Sequence, residues 1–446
     1  MAIFLAIYTR NVLLSLFIGT IVGLFIIEGF NIEQTLVSTY GLFISLLSEA
    51  WILKTLSFII LVGAIMALIE KSGGVDGFID YIQNQKKLVK SKRSALLLSY
   101  IIGVVIFVET SITALVAGAV GKPFCKEYNI SNAKLAYVCD STSAPISSLL
   151  VFNGYGALLL GLITTQVSTG AISGNGIDLL INSLMYNFYA IVTLVIVFIS
   201  IWFDIDFKSM KNSKYNMPII ESKRTDKIAS KYLMILPIVL MVLFVFIFLY
   251  ITGNGNILKG SGSSSVFYTM LCILAFIFMY YIPKKVVGVK EFFTISFKGI
   301  KHLFPLAVIM LLAFAIGDVT SQLKTGEYLA SYASQNIHIS FIASVVFTLS
   351  AIMAFATGTS WGTFSIMIPI AAPIAVAIGI ETPILFGAVI SGAIFGDHCS
   401  PISDTTIVSS LAAECDVAEH VKTQLPYALL SGAITSVLFF LASLSL

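Results

Sequence analysis

Charge is scarce in this chain of 446 residues. Asp, Glu, Lys and Arg together make up 11%, against 58% hydrophobic residues and a mean hydropathy of +0.97. No soluble domain of that length could hide so much apolar surface, so an integral membrane protein is implied. Cysteine is sparse too. Cys125, Cys139, Cys272, Cys399 and Cys415 show no CxxC spacing, and the four histidines are scattered, which argues against a disulfide framework or a structural metal site. No nucleotide-binding loop or long low-complexity tail interrupts the apolar runs, and no Ser/His/Asp or HExxH arrangement lies at membrane depth, so an enzyme is not expected. The first apolar segment lacks a following small-residue cleavage site and reads as a retained helix rather than a signal peptide.

What is present is a series of runs long enough to span: Val12–Ile27, Leu53–Ile69, Ser183–Phe203, Leu233–Ile251, Val266–Ile282, Phe304–Gly317 and Pro426–Leu444. Lys and Arg gather in the connections 71–93 (six), 121–134 (three), 204–231 (seven) and 283–302 (five). The stretches 29–51, 170–182, 252–264 and 318–340 hold only Lys259 and Lys324. The positive-inside rule places the first set in the cytoplasm and the second outside. Counting crossings then puts the N-terminus in the cytoplasm and the C-terminus outside a multi-pass cell-membrane protein. The segment 94–120 has basic flanks on both sides and is expected as a hairpin turning near Glu109-Thr110. A broken pass should follow over 134–165 and a return over 183–203. After one linking pass, 232–251, the same order recurs in mirror sense, with a hairpin over 341–378 turning near Thr359-Ser360 and a broken pass over 384–412. The expected fold class is therefore an all-α integral membrane protein built as an inverted-topology repeat of transmembrane helices, with two re-entrant hairpins and two broken helices. Residues 1–203 form the first repeat, 204–264 a cytoplasmic loop and linking helix, and 265–446 the second, inverted repeat.

The breaks carry the chemistry. Asp140-Ser141-Thr142-Ser143-Ala144-Pro145-Ile146-Ser147 and Gly396-Asp397-His398-Cys399-Ser400-Pro401-Ile402-Ser403-Asp404-Thr405-Thr406 share Pro-Ile-Ser at an offset of 256 residues. Carboxylates, hydroxyls and proline inside hydrocarbon-spanning sequence are costly, and non-helical backbone is tolerated at that depth only where it is buried in protein or lines a watery cavity. Two such knots in corresponding halves are the mark of an ion or substrate site made from broken helices, as in transporters.

Asp140, about six residues into its pass, is expected either to hold Na⁺ or a proton together with Ser141, Thr142 and Ser143, or to cap a half-helix. Asp397 follows the apolar, small-residue run Ile390–Gly396 and has no capping role to explain it. Asp404, before Thr405-Thr406, could bind an ion or cap the half-helix that starts there. Ser400, Ser403, Thr405, Thr359 and Ser360 offer neutral oxygens, as Thr110 and Ser111 do at the other tip, and hard cations take oxygen ligands. Glu109 is a candidate proton carrier or an ion-pair partner. Asn153 could ligate substrate or satisfy broken backbone. His398 and Cys399 are expected as polar cavity lining.

These residues also carry a resemblance. The run Gly396–Thr406, with Asp140–Pro145, Phe152-Asn153-Gly154-Tyr155-Gly156 and Thr359-Ser360-Trp361-Gly362-Thr363, resembles the NhaC family of Na⁺/H⁺ antiporters over about residues 10 to 445. The resemblance implies a secondary transporter of the wider ion-transporter type that exchanges Na⁺ for H⁺ across the cytoplasmic membrane, with Asp140, Asp397 and Asp404 alternating between proton and cation. The family tends to read Asp-Lys-Met at the start of this run. Here His398-Cys399 replaces Lys-Met, and Ile407 follows Thr406, so an internal counter-ion is lost. The alternative is a Na⁺- or H⁺-coupled transporter of a small amino acid or organic acid. No cofactor is expected beyond Na⁺ and H⁺ as transported or coupling ions. Expected partners are membrane lipid and a small ion or small-molecule substrate, with a homodimer as one possible assembly and no nucleic acid. A channel would need a continuous polar path rather than two isolated knots.

Overall fold

A computed structural model describes residues 11–84, 89–107, 110–151, 153–214, 230–255, 260–324 and 338–444, together with Leu5, Tyr8, Thr9 and Tyr328. Glu109 lies outside the described residues, as does the side chain of Ser111. The described chain is nearly all helix, and nine of its helical stretches, Gly176–Trp202 counted as one, are long and apolar enough to cross a membrane. The protein is therefore an α-helical, multi-pass membrane protein.

Contacts divide it into two units. One comprises Ile44–Leu88 and Ile220–Leu311. The other comprises Met1–Phe43, Val89–Ile219 and Leu312–Leu446, and it contains every candidate site residue. In chain order the helices are α1 (Val12–Ile27), α2 (Ile32–Ser48), α3 (Ala50–Lys71), α4 (Gly74–Asn84), α5 (Lys92–Val105), α6 (Thr110–Glu127), α7 (Asn132–Ser147), α8 (Gly154–Ser168), α9 (Gly176–Met185), α10 (Phe188–Trp202) and the single turn α11 (Lys208–Lys211). They continue as α12 (Tyr232–Thr252), α13 (Gly262–Tyr281), α14 (Val289–Gln322), α15 (Ile339–Thr357), α16 (Ser360–Ile378), α17 (Thr382–Cys399), α18 (Asp404–Ala413) and α19 (Val417–Leu444).

In the first unit α13 packs on α3 and α12, and α4 on α12. Gly63 of α3 and Gly299 of α14 bring the two backbones into direct contact, a close approach that small residues permit between membrane helices.

The site-bearing unit repeats one packing order twice. Helices α5, α6 and α7 pack mutually, and so do α15, α16 and α17. Across the halves, α6 lies on α18 while α16 lies on α8; α7 meets α19 while α17 meets α9 and α10. Such reciprocal pairing is what two copies related by an approximate two-fold would produce.

The hairpin tip expected near Thr359-Ser360 is present. Gly358 closes α15 in the left-handed region (φ 67°), and Thr359 opens α16. The second break also falls where expected. Helix α17 ends at Cys399, Pro401 supplies no N–H, and α18 starts at Asp404. The first break does not coincide with its knot. Helix α7 runs through Asp140–Ser147 with Pro145 in its last turn, and the next helix starts at Gly154. Hydroxyls back-bond along this segment: Thr142 Oγ1 donates to Val138 O (2.8 Å), Ser143 Oγ to Asp140 O (2.9 Å) and Ser148 Oγ to Pro145 O (2.8 Å).

Three further elements differ from the sequence expectation. The 29–51 connection contains α2, with Asn31 Oδ1 accepting from Gln34 N at its start (3.1 Å). The basic 283–302 connection is helical from Val289 and continues into the next pass as α14. The return over 183–203 is interrupted at Tyr186-Asn187, between α9 and α10. That interruption is stitched by the Asn187 amide, which donates to Ser148 O (3.2 Å) and Ser148 Oγ (2.8 Å) and accepts from Ser391 Oγ (3.2 Å).

Candidate ion and substrate site

Two buried carboxylates, one from each half, anchor the site. Asp397 sits on the last turn of α17 and is 1% exposed. Ser360 Oγ, from the first residue of α16, donates to Asp397 Oδ2 (2.9 Å). Ser403 Oγ, from the far side of the Pro401 break, donates to Asp397 Oδ1 (2.6 Å) and lies 3.0 Å from Thr405 Oγ1. The hairpin tip and the break thus converge on one carboxylate. Since Ser360 gives its proton to Asp397, the 2.8 Å contact of Tyr155 OH with Ser360 Oγ has the tyrosine as donor. Tyr155 also packs its ring 4.9 Å from that of Trp361. The result is a hydroxyl chain from α8 through α16 to α17.

Asp140, from α7, is fully buried and met differently. Its Oδ2 accepts from Thr406 Oγ1 of α18 (3.3 Å) and from Gln424 Nε2 of α19 (2.8 Å), and stands 3.2 Å from His420 Nε2 of α19. Gln424 Nε2 also donates to the carbonyl of His398 (2.5 Å), so one amide ties Asp140 to the residue that follows Asp397.

His398 is fully buried between the two acids. Ser141 Oγ is 3.0 Å from its Nε2 and Tyr189 OH of α10 is 2.8 Å from its Nδ1. A neutral imidazole donates at one nitrogen and accepts at the other, so both contacts are satisfied without charge.

The other expected residues fall into two groups. Ser400 Oγ donates to Phe355 O (2.8 Å) and holds the break against α15. Thr142 and Ser143 close on their own helix. Thr359 opens α16, its carbonyl taking the Thr363 hydroxyl (3.0 Å). Asp404 is exposed on the first turn of α18, with Oδ1 accepting from Thr405 N (2.9 Å). Asn153 caps α8: Oδ1 accepts from Gly156 N (3.1 Å), while Nδ2 donates to Ser147 O (2.7 Å) and Phe107 O (3.2 Å). It serves the broken backbone on the pattern of an N-cap.

Sequence reasoning passed over His420, Gln424, Thr406, Tyr155 and Tyr189. His420 and Gln424 fall between the expected broken pass, 384–412, and the expected last pass, 425–445, whereas α19 starts at Val417. Their four-residue spacing, which puts both on one helix face, was the available signal.

A family model described as the Na⁺/H⁺ antiporter family matches residues 154–444, in line with the resemblance carried by the second knot. A protein of Haemophilus influenzae described as uncharacterized is 33% identical over 98% of this chain and 88% of its own length. A malate-2H(+)/Na(+)-lactate antiporter of Bacillus subtilis is 38% identical over 24% of this chain and 23% of its own length. The crystal structure of the Alcanivorax borkumensis YdaH transporter, which has an unusual topology, superimposes with a TM-score of 0.60 at 13% identity, covering 92% of this chain and 89% of that one. That likeness concerns the fold alone.

Proposed function

Because the chain belongs to the Na⁺/H⁺ antiporter family, we propose that it is a secondary transporter in the cytoplasmic membrane that exchanges Na⁺ for H⁺, with Asp397 holding one ion or the other. The observation that carries this reading is the convergence of Ser360 and Ser403, the latter in contact with Thr405, on a carboxylate that is 1% exposed. Both side chains that donate to Asp397 present oxygen, the donor type that hard cations select. A proton added to Asp397 neutralises it and removes the attraction for Na⁺; Na⁺ bound there repels the proton. Competition of this kind gives exchange when the site faces alternate sides of the membrane. The loop charges support a cytoplasmic N-terminus and an external C-terminus, and the repeats 1–203 and 265–446 supply the alternating surfaces.

The test uses purified protein in liposomes containing a pH-sensitive dye. An imposed Na⁺ gradient is expected to drive proton movement, and Asp397→Asn to abolish it. No proton movement in the wild type under Na⁺ alone would overturn the exchange. A second reading, a Na⁺- or H⁺-coupled carrier of a small amino or organic acid, is favoured by one observation: the groups around Asp140 include nitrogen and differ from those around Asp397. Proton or Na⁺ movement that starts only when such a solute is added would establish it.

A further inference from the structure

Of the four charge-poor connections, 318–340 is one of two that hold a basic residue, Lys324. That lysine lines a cavity of about 270 Å³ within the site-bearing unit. Gln166 near the end of α8, Thr169 just beyond it, Thr320 of α14, and Pro369 and Pro373 of α16 form the wall with it; the remainder is small or alkyl. None of these residues belongs to the Asp397 or Asp140 cluster. Gln166 lies eleven residues beyond Tyr155 on α8, and Pro369 nine beyond Ser360 on α16. At about 1.5 Å per residue, both helices place the cavity ~15 Å along from the hydroxyl chain to Asp397.

One polar group meets this space without a partner. Gln166 is 2% exposed, and its Nε2 has no hydrogen-bond partner among the described residues. A Cβ added to Gly317 of α14 would lie 3.3 Å from that Nε2 and 3.6 Å from Pro369 Cγ, so the amide nitrogen stands between α14 and the cavity-lining proline of α16. A buried N–H group left unserved is costly, and such groups in folded proteins are nearly always paired. The Thr169 and Thr320 hydroxyls donate to carbonyls of their own turns, Thr165 O (3.0 Å) and Gly317 O (3.0 Å). The side-chain donors left to the cavity are therefore the Gln166 amide and the Lys324 ammonium, which has three N–H groups to distribute.

Those donors select an anion. Among the described residues no carboxylate lines the cavity, so a cation would find no counter-charge there. One lysine compensates one negative charge, whereas a phosphate dianion calls for several cations or a guanidinium fork. A halide would leave the alkyl wall unused. A monocarboxylate uses both parts of the cavity: its oxygens take the amide and the ammonium, and a short carbon chain lies against Pro369 and Pro373. We propose that Gln166 and Lys324 form an anion site, separate from both buried aspartates, that binds the carboxylate of an organic monoacid of a few carbon atoms. The site requires neither Na⁺/H⁺ exchange nor the coupled-carrier reading, and it stands whether or not the acid is carried.

The experiment follows the melting temperature of the purified protein in detergent, without Na⁺, as potassium propionate replaces potassium chloride at constant ionic strength. A saturable rise is expected. Propionamide, the same skeleton without the charge, is expected to give none. Gln166→Leu keeps the bulk and removes the unserved N–H, so the melting temperature without propionate should hold or rise. The propionate concentration giving half the effect should increase about tenfold or more in that variant, the loss expected for a hydrogen bond to a charged group. Lys324→Met, at an exposed position, should increase it about two- to fivefold, and Lys324→Arg should leave it near the wild-type value. No saturable propionate effect, an equal rise with propionamide, or an undiminished response in either Gln166→Leu or Lys324→Met would overturn the proposal. Should Gln166→Leu fail to fold, Lys324→Met against Lys324→Arg decides. None of these readouts uses proton movement, so failure here and failure of Na⁺/H⁺ exchange are separately visible.

Discussion

The two acids differ in how completely they are satisfied. Asp397 has a hydroxyl donor on each oxygen, whereas Asp140 concentrates its donors on Oδ2. The hydroxyl chain beginning at Tyr155 should therefore tune Asp397 directly. Ser360→Ala removes one donor to Asp397 and, with it, the Ser360 hydroxyl that Tyr155 OH contacts. With about 1.5–3 kcal/mol at stake for a hydrogen bond to a charged group, the Na⁺ concentration giving half-maximal exchange should rise about tenfold or more. Tyr155→Phe, which leaves the Ser360 bond to Asp397 in place, should have a smaller effect on the same measurement. An unchanged half-saturation in Ser360→Ala would remove Ser360 from the site. At this scale the sequence was informative about Asp140, Asp397, Ser360 and Ser403, because polar residues in apolar passes stand out. It was silent about Tyr155 and Tyr189, since tyrosine in such passes is common and only its hydroxyl partner reveals a role.

Among elements, the hairpin tip and the Pro401 break meet each other. An added Cβ on Gly358 would lie 2.8 Å from Ile402 Cγ1 and 2.9 Å from the Ile402 carbonyl, in a residue already at φ 67°. Gly379 has a similar backbone (φ 78°) with nothing within 4 Å. The pair separates strain from crowding. Gly379→Ala should cost ~1 kcal/mol, the left-handed penalty alone. Gly358→Ala should add ~1–3 kcal/mol for overpacking, read as a clearly larger drop in melting temperature and a loss of Na⁺ response. Equal drops would show that the tip is not pressed against the break. Proline and glycine made this tip and break legible in the sequence. The Tyr186-Asn187 interruption was not, because it has neither residue and depends on hydrogen bonds to Ser148 and Ser391, 39 and 204 residues away. Proline misled at residue 145 because so near the helix end it removes a single bond, the one to the Ser141 carbonyl, and only Ile146 and Ser147 follow it in the helix.

At the scale of the site-bearing unit, the halves are also joined away from the carboxylates, through Tyr427 on a buried ion pair of the first half and through a second pair, Lys122 with Glu414. Lys134 at the start of α7 pairs with Asp206, with side chains 3% and 10% exposed. Its ammonium also donates to Ser200 Oγ (2.5 Å) and lies near the Tyr137 and Tyr427 rings, at 5.6 and 5.5 Å. Tyr427 of α19 donates to Asp206 (2.7 Å), and Lys122 pairs with Glu414 beyond α18. Lys134→Met leaves Asp206 buried without its cation and should destabilise by ~3–5 kcal/mol. The double variant Lys134→Met with Asp206→Leu should recover much of that loss, as judged by melting temperature and yield in detergent. A double variant no better than the single one would mean the pair contributes net stability rather than specificity. The sequence placed this lysine in a basic cytoplasmic connection; only the fold shows it enclosed between aromatic rings.

Trp361 gives the protein an optical gauge of its own. Only three tryptophans are present. Trp51 and Trp202 are far along the chain from the hairpin tip, while Trp361 follows Ser360 and packs on Tyr155. With the other two replaced by phenylalanine, the emission colour of this single indole is expected to shift if Na⁺ or a proton binds at Asp397, a change readable in an unlabelled molecule and on the timescale of a mixing experiment.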